Sequence, residues 1–200
     1  MIKIGITGGI ASGKTTAANC LDEQEGTYIF NADQKSKAHL KKSLSLQKKI
    51  INIFGNQITV ENKIDFNLLA KVAFKNKTNH TILNGIMWPE VFLLINKEYE
   101  KIKNNKKYNS FIVDAALLFE ANYQSFFDYT ILVTANEKKR LSRAIKRDNI
   151  SLENIQNRIS LQMPESKKKY LADYTINNNH SFNNLFKKIN GIYSDIISVK

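Results

Sequence analysis

The chain has 200 residues, 42% of them hydrophobic and 10% aromatic, which suits one α/β domain with a packed core and excludes wholesale disorder. Lys+Arg number 30 against Asp+Glu 18, a formal net charge of +12, so anionic partners are favoured: nucleic acid, phosphate-rich metabolites or an acidic membrane surface. Lysine is scattered along the whole chain, whereas all four arginines (Arg140, Arg143, Arg147, Arg158) fall in one short stretch.

In chain order, Ile2 to Thr7 reads as a short β-branched strand that runs into a glycine loop, with a helix from about Gly13 to Glu23. Gly26 breaks the pattern, and Thr27–Phe30 is a second apolar run ending at Asn31-Ala32-Asp33. From Ala32 to about Lys107 the character changes. Leu44–Phe54 and Phe66–Phe74 carry apolar residues at helical spacing, and a longer helix covers Asn79–Lys103 with a bend or break at Pro89. No strand is expected in this stretch, which reads as a helical insertion. Ser110–Val113 and Tyr129–Val133 are further strands, the latter apolar throughout as if buried on both faces. Asn136 caps a basic helix reaching about Asp148, and another starts near Ser151 and stops before Pro164. Thr175–Ile176 is a brief fifth strand, and Phe182–Ile197 a closing amphipathic helix. Strands alternating with helices predict an α/β fold with a doubly wound, five-stranded parallel sheet.

The lone Cys20 excludes an internal disulfide framework and reads as a buried structural thiol. No apolar run reaches the ~20 residues of a membrane span, and no signal-peptide pattern precedes the first strand. His39, His80 and His180 lack metal-ligand spacing. A cytoplasmic protein is expected, monomeric or weakly associated.

Gly8-Gly9-Ile10-Ala11-Ser12-Gly13-Lys14-Thr15 fits G-x-x-x-x-G-K-[ST] at every specified position, after a strand and before a helix. Such a loop wraps backbone N–H groups around phosphate oxygens. Lys14 then serves the β- and γ-phosphates, and the Thr15 hydroxyl is the candidate Mg²⁺ ligand. Nucleotide binding follows, but no reaction does. The chain has no Asn-Lys-x-Asp run for reading a guanine base and no apolar strand ending in paired Asp-Glu. Asp33, at the end of the second strand, has two readings: a base for a substrate hydroxyl, or a cap of the next helix. Asp114 ends the third strand, either orienting a magnesium-bound water or capping the turn. Arg143 and Arg147 lie four apart on one helical face and supply bidentate, permanent charge for a phosphoryl group. Arg140 reads as a solvated residue of the same basic helix.

Several of these segments together resemble the dephospho-CoA kinase family. They are Thr7-Gly8-Gly9-Ile10-x-Ser12-Gly13-Lys14, Ala32-Asp33, Phe54-Gly55, Ile64-Asp65 leading to Val72-x-Phe74, and Pro89. Leu117-Leu118-Phe119-Glu120, Arg143-x-x-x-Arg147-Asp148, Arg158-Ile159-x-x-Gln162-Met163-Pro164, Ala172-Asp173-Tyr174-x-Ile176 and Asn178 continue the series in order. The resemblance implies a P-loop NTPase-type core formed by residues 1–33 and 108–200, a helical lid at about 138–170, and a substrate-binding insertion at 34–107. It implies ATP-dependent phosphorylation of the ribose 3′-hydroxyl of dephospho-CoA, with Mg²⁺, to give coenzyme A and ADP. Ala11, Ser12, Gly13, Lys14, Thr15 and Thr16 would then form the ATP-phosphate loop and Asp33 the base. Arg143 and Arg147 would be lid arginines that close over the triphosphate, and Asn178 would lie near adenine. The chain departs from the family pattern at Asn31, in place of the usual first Asp, and at Ala11, in place of Gly. Phe66, Trp88 and Ala116 are departures too. The alternative activity is that of another P-loop kinase, for a nucleoside monophosphate or similar metabolite. A more distant one is a nucleic-acid-binding P-loop protein, which the dispersed lysines do not favour.

Overall fold

The computed structural model describes residues 1–148 and 151–198. The chain opens with β1 (Ile2–Gly8), α1 (Lys14–Cys20) and β2 (Thr27–Asn31). An excursion follows through α2 (Ala32–Lys42), α3 (Leu44–Phe54), the short β3 (Thr59–Val60) and β4 (Lys63–Ile64), α4 (Phe66–Ala73) and α5 (Lys77–Ile102). The chain returns as β5 (Ser110–Asp114) and β6 (Tyr129–Thr134), then forms α6 (Glu137–Asp148), α7 (Leu152–Ser160) and α8 (Glu165–Leu171). It closes with β7 (Tyr174–Asn177) and α9 (Phe182–Ser198).

The main sheet has the order β2-β5-β1-β6-β7 with every neighbouring pair parallel. The α/β fold with a five-stranded parallel sheet is therefore as the sequence predicts. The chain winds to one side of β1 and then to the other, so the change of direction falls beside β1 and the loop after it. Uninterrupted apolar strands follow from cover on both faces. Ile4, Ile6, Ile112 and Ile131 pack with Ala17, Leu21 and Ile189 on one face. Phe30, Phe111 and Val113 pack with Ile95, Leu118 and Phe119 on the other. Cys20 is buried in the first of these layers, and burial pushes its thiol pKa up.

The excursion between β2 and β5 holds a core of its own, including Leu46, Ile50, Phe54, Ile58, Leu69 and Ile86. Two of its features differ from the sequence reading. β3 and β4 form an antiparallel hairpin, Thr59 opposite Ile64, where no strand is expected. Its turn residues Glu61 and Asn62 take φ of 49° and 62°, the left-handed pair that suits a tight hairpin. Two-residue strands are too short to show alternation, and Glu-Asn is not the usual turn signal. Pro89 does not break α5, which runs through it as one helix. Ile86, Ile95 and Ile102 anchor that helix on either side of the proline, and the Tyr123 hydroxyl donates to the Trp88 carbonyl. Tertiary packing here overrides the local cost of proline. Among the described residues no helix is long and apolar enough to cross a membrane.

His80 is buried within α5, its ring 5.5 Å from that of Phe74. Burial pushes its pKa below the ordinary value, against a smaller upward pull from Glu120. The folded chain therefore binds this proton less readily than the unfolded chain. The stabilisation is complete above about pH 6.5, the ordinary histidine value, and is lost as pH falls below it. Thermal unfolding at pH 7.5 and 5.5 checks this: the parent should lose more on acidification than a His80→Leu variant does.

Candidate active site

β1 ends at the glycine loop, whose turn is closed by the Ser12 N–H donating to the Gly9 carbonyl at 3.0 Å. Gly13 precedes α1 with φ +96°, and a Cβ there would lie 2.1 Å from Nδ2 of Asn178. Glycine is needed at this point for both reasons. Ala11 also lies in the left-handed region, at φ 56°, so the loop tolerates a Cβ at the position where the family pattern has Gly.

Five side chains meet beneath the loop. Asp114, at the carboxyl end of β5, is 0% exposed and central. Its Oδ2 accepts the Thr15 hydroxyl at 2.8 Å and the Asn31 amide at 2.9 Å, and its Oδ1 accepts Lys14 Nζ. Lys14 also donates to Asp33 Oδ2 at 3.1 Å. A carboxylate buried this deeply persists only because a cation and two neutral donors compensate it. Asp114 thus belongs with Lys14 and Thr15, and the turn-capping alternative is not what its side chain does. Asn31 serves twice, since its Oδ1 accepts the Gln34 N–H and caps α2. Asp33 lies in the first turn of α2 with its side chain half exposed, and the cap belongs to Asn31. Thr16 follows Thr15 on α1 and is exposed.

Asn178 follows β7 and is buried. Its Nδ2 donates to the Ser12 carbonyl at 2.8 Å, its N–H to the Thr134 carbonyl at 2.8 Å, and its carbonyl accepts Arg143 Nη2 at 3.1 Å. It therefore ties the glycine loop to β6 and α6. Arg143 Nη1 and Ser12 Oγ are buried with no hydrogen-bond partner among the described residues. The Arg147 side chain lies outside the described residues.

Two residues at the loop go beyond the sequence reading. Arg140 is not solvated: it is 8% exposed and its Nε donates to the Ile10 carbonyl at 3.0 Å. Burial lowers the pKa of its guanidinium, partly offset by Glu165. Gln162 Oε1 accepts the Ile10 N–H at 3.1 Å. The confinement of arginine to one segment was a signal that applied to Arg140 as much as to Arg143.

A cleft of about 1420 Å³ opens between the excursion and α7, lined by Lys37 and Ser36 of α2, Phe66 and Lys71 of α4, and Asn157 and Arg158 of α7. Ser36 and Lys37 follow Asp33 by one turn of α2. Arg158 lies 4.7 Å from the Phe74 ring centre, so the far wall is joined to the near one by a cation–π contact. Lys41 lies 5.4 Å over the Phe66 ring. Trp88 Nε1 is buried with no hydrogen-bond partner among the described residues.

A Gly13→Ala variant tests the loop geometry. It should fold with a lowered unfolding midpoint and bind ATP at least about tenfold more weakly by titration, since the added Cβ meets both a strained φ and the Asn178 amide.

A family model described as dephospho-CoA kinase matches residues 2–184. A relative from Fusobacterium nucleatum named dephospho-CoA kinase is 36% identical over 187 residues, which is 93% of this chain and 94% of the relative. Among solved structures, TT1252 from Thermus thermophilus superposes with a TM-score of 0.78 at 26% identity, covering 97% of both chains. Dephospho-CoA kinase from Campylobacter jejuni gives 0.66 at 26% identity, over 98% of this chain and 97% of that one.

Proposed function

The chain belongs to the dephospho-CoA kinase family, and we propose that the side chains gathered under its glycine loop transfer the γ-phosphoryl group of ATP to the ribose 3′-hydroxyl of dephospho-CoA. The observation that carries this reading is the juxtaposition of Lys14, Thr15, Asp114 and Asp33 at the carboxyl edge of β1, β5 and β2. Phosphoryl transfer asks a protein for positioning and charge neutralisation more than for covalent chemistry. Residues 11–16 supply backbone N–H groups, and the unpartnered Ser12 Oγ and Arg143 Nη1 are donors that suit phosphate oxygens.

The Thr15 hydroxyl and the Asp114 carboxylate are hard oxygen donors and fit Mg²⁺, an ion held in such sites by one or two carboxylates, water and substrate phosphates. Bound there with the nucleotide, it would supply charge neutralisation on the β- and γ-phosphates. Lys14 moves its ammonium from Asp33 to the phosphates, and the released Asp33 carboxylate accepts the proton of the 3′-hydroxyl. That oxygen bonds to the γ-phosphorus as the bond to the β–γ bridging oxygen breaks, and ADP leaves. Arg143 and Arg147 are the lid arginines of this reading. Asn178 orders the loop and stands on the adenine side.

The cleft lined by Ser36 and Lys37, one turn along α2 from Asp33, supports residues 34–107 as the acceptor-binding insertion, with residues 138–170 as a lid over a core of 1–33 and 108–200. The enzyme of this reading is cytoplasmic, monomeric or weakly associated, and acts on a small molecule. A coupled ATPase assay tests the activity: turnover with dephospho-CoA and none with nucleoside monophosphates is expected, and the reverse would overturn it. Lys14→Ala should abolish transfer. Asp33→Asn should lower kcat by about 10²-fold or more with ATP binding retained, whereas near-normal turnover would remove the base assignment.

A further inference from the structure

We infer that Arg140 is a positioning residue which, with Gln162, holds the glycine loop in the conformation that Ala11 makes unfavourable. A side chain with a Cβ resists the left-handed region, and Ala11 sits there at φ 56°. Such a residue persists where its surroundings over-determine the backbone. The residue just before it is held in that way. The Ile10 N–H goes to Gln162 Oε1 at 3.1 Å and the Ile10 carbonyl receives Arg140 Nε at 3.0 Å. Both polar groups of one loop residue are thus bound by side chains from outside the loop, over 130 or more positions of sequence.

The guanidinium is itself fixed. Arg140 Nη1 lies 3.7 Å from Glu165 Oε2 of α8, and Glu165 is further paired with Lys169 at 3.1 Å. Gly9 leaves room for it, because a Cβ at that position would lie 2.6 Å from Arg140 Nη2. A planar fork meets the carbonyl and the carboxylate at once, which a lysine ammonium on its flexible stem does not match. None of these contacts requires Arg140 to touch the substrate, so the residue acts through the loop.

This inference rests on the loop being the nucleotide site, and its test separates the two ideas. Arg140→Ala is made in the parent and in an Ala11→Gly background, and the four chains are compared by steady-state kinetics and by titration with a fluorescent ATP analogue. In the parent the substitution should raise the KM for ATP about tenfold with kcat and the KM for dephospho-CoA changed less than about twofold. In the Ala11→Gly background, where the loop conformation is unstrained, the rise should be less than about threefold. Equal rises in both backgrounds, or an unchanged KM in the parent, would overturn the inference. If Arg140→Ala unfolds at the assay temperature, Arg140→Gln, which keeps part of the stem and loses the charge, is read in the same two backgrounds with the same expected ordering. A parent chain that binds the analogue but does not phosphorylate dephospho-CoA would remove the proposed activity and leave the coupling of Arg140 to Ala11 measurable by titration alone.

Discussion

A single buried carboxylate organises the candidate site. Asp114 ends β5, the strand that lies between β2 and β1 in the sheet, and has no exposure to solvent. Its two oxygens collect Lys14 and Thr15 from the start of α1 and Asn31 from the end of β2. Removing an ion from water is costly, and this one is compensated by a cation and two neutral donors from two other chain segments. The consequence is positional. The first turn of α1, the end of β2 and the end of β5 are locked to one another through this one side chain.

The sheet order explains why these segments can meet. The excursion of α2 to α5 leaves from β2 and returns in β5, two hydrogen-bonded neighbours. Because the two strands are parallel, the excursion leaves at the carboxyl edge beside Asp33 and re-enters at the amino edge with Ser110, and β5 then carries Asp114 back alongside Asn31. On the other side, β7 delivers Asn178 to the Ser12 carbonyl. The glycine loop is thus approached from β5, from β7 and from the helices α6 to α8, and its shape is a property of the whole domain rather than of its own eight residues.

Much of this was legible in the sequence. The five strands, the glycine loop and the helices read at Leu44–Phe54 and Phe66–Phe74 follow from apolar spacing, and the start of α7 from Ser151. What was not legible has physical reasons. The β3–β4 hairpin is shorter than the period that reveals a strand. The continuity of α5 through Pro89 depends on packing contributed from far along the chain. Arg140, read by its place on a basic helix, is buried because Ile10 and Glu165 come to it from 130 and 25 positions away in the sequence. In the sequence Asp114 has two readings, orienting a magnesium-bound water or capping a turn, and only the strand order sets it between Lys14 and Asn31.

The pairing of Lys14 with Asp33 has a consequence of its own. The Lys14 ammonium is shared by two carboxylates, so the basic and acidic partners hold each other in check. In the proposed reaction an incoming polyphosphate competes for that ammonium, and the half-exposed Asp33 carboxylate is the partner given up, since Asp114 is buried and anchored by other donors. Loading of one substrate then arms the site for the other. Under that proposal the arrangement is an interlock: the carboxylate that deprotonates the alcohol stays engaged with Lys14 until a phosphoryl group is in place to receive the alcohol oxygen.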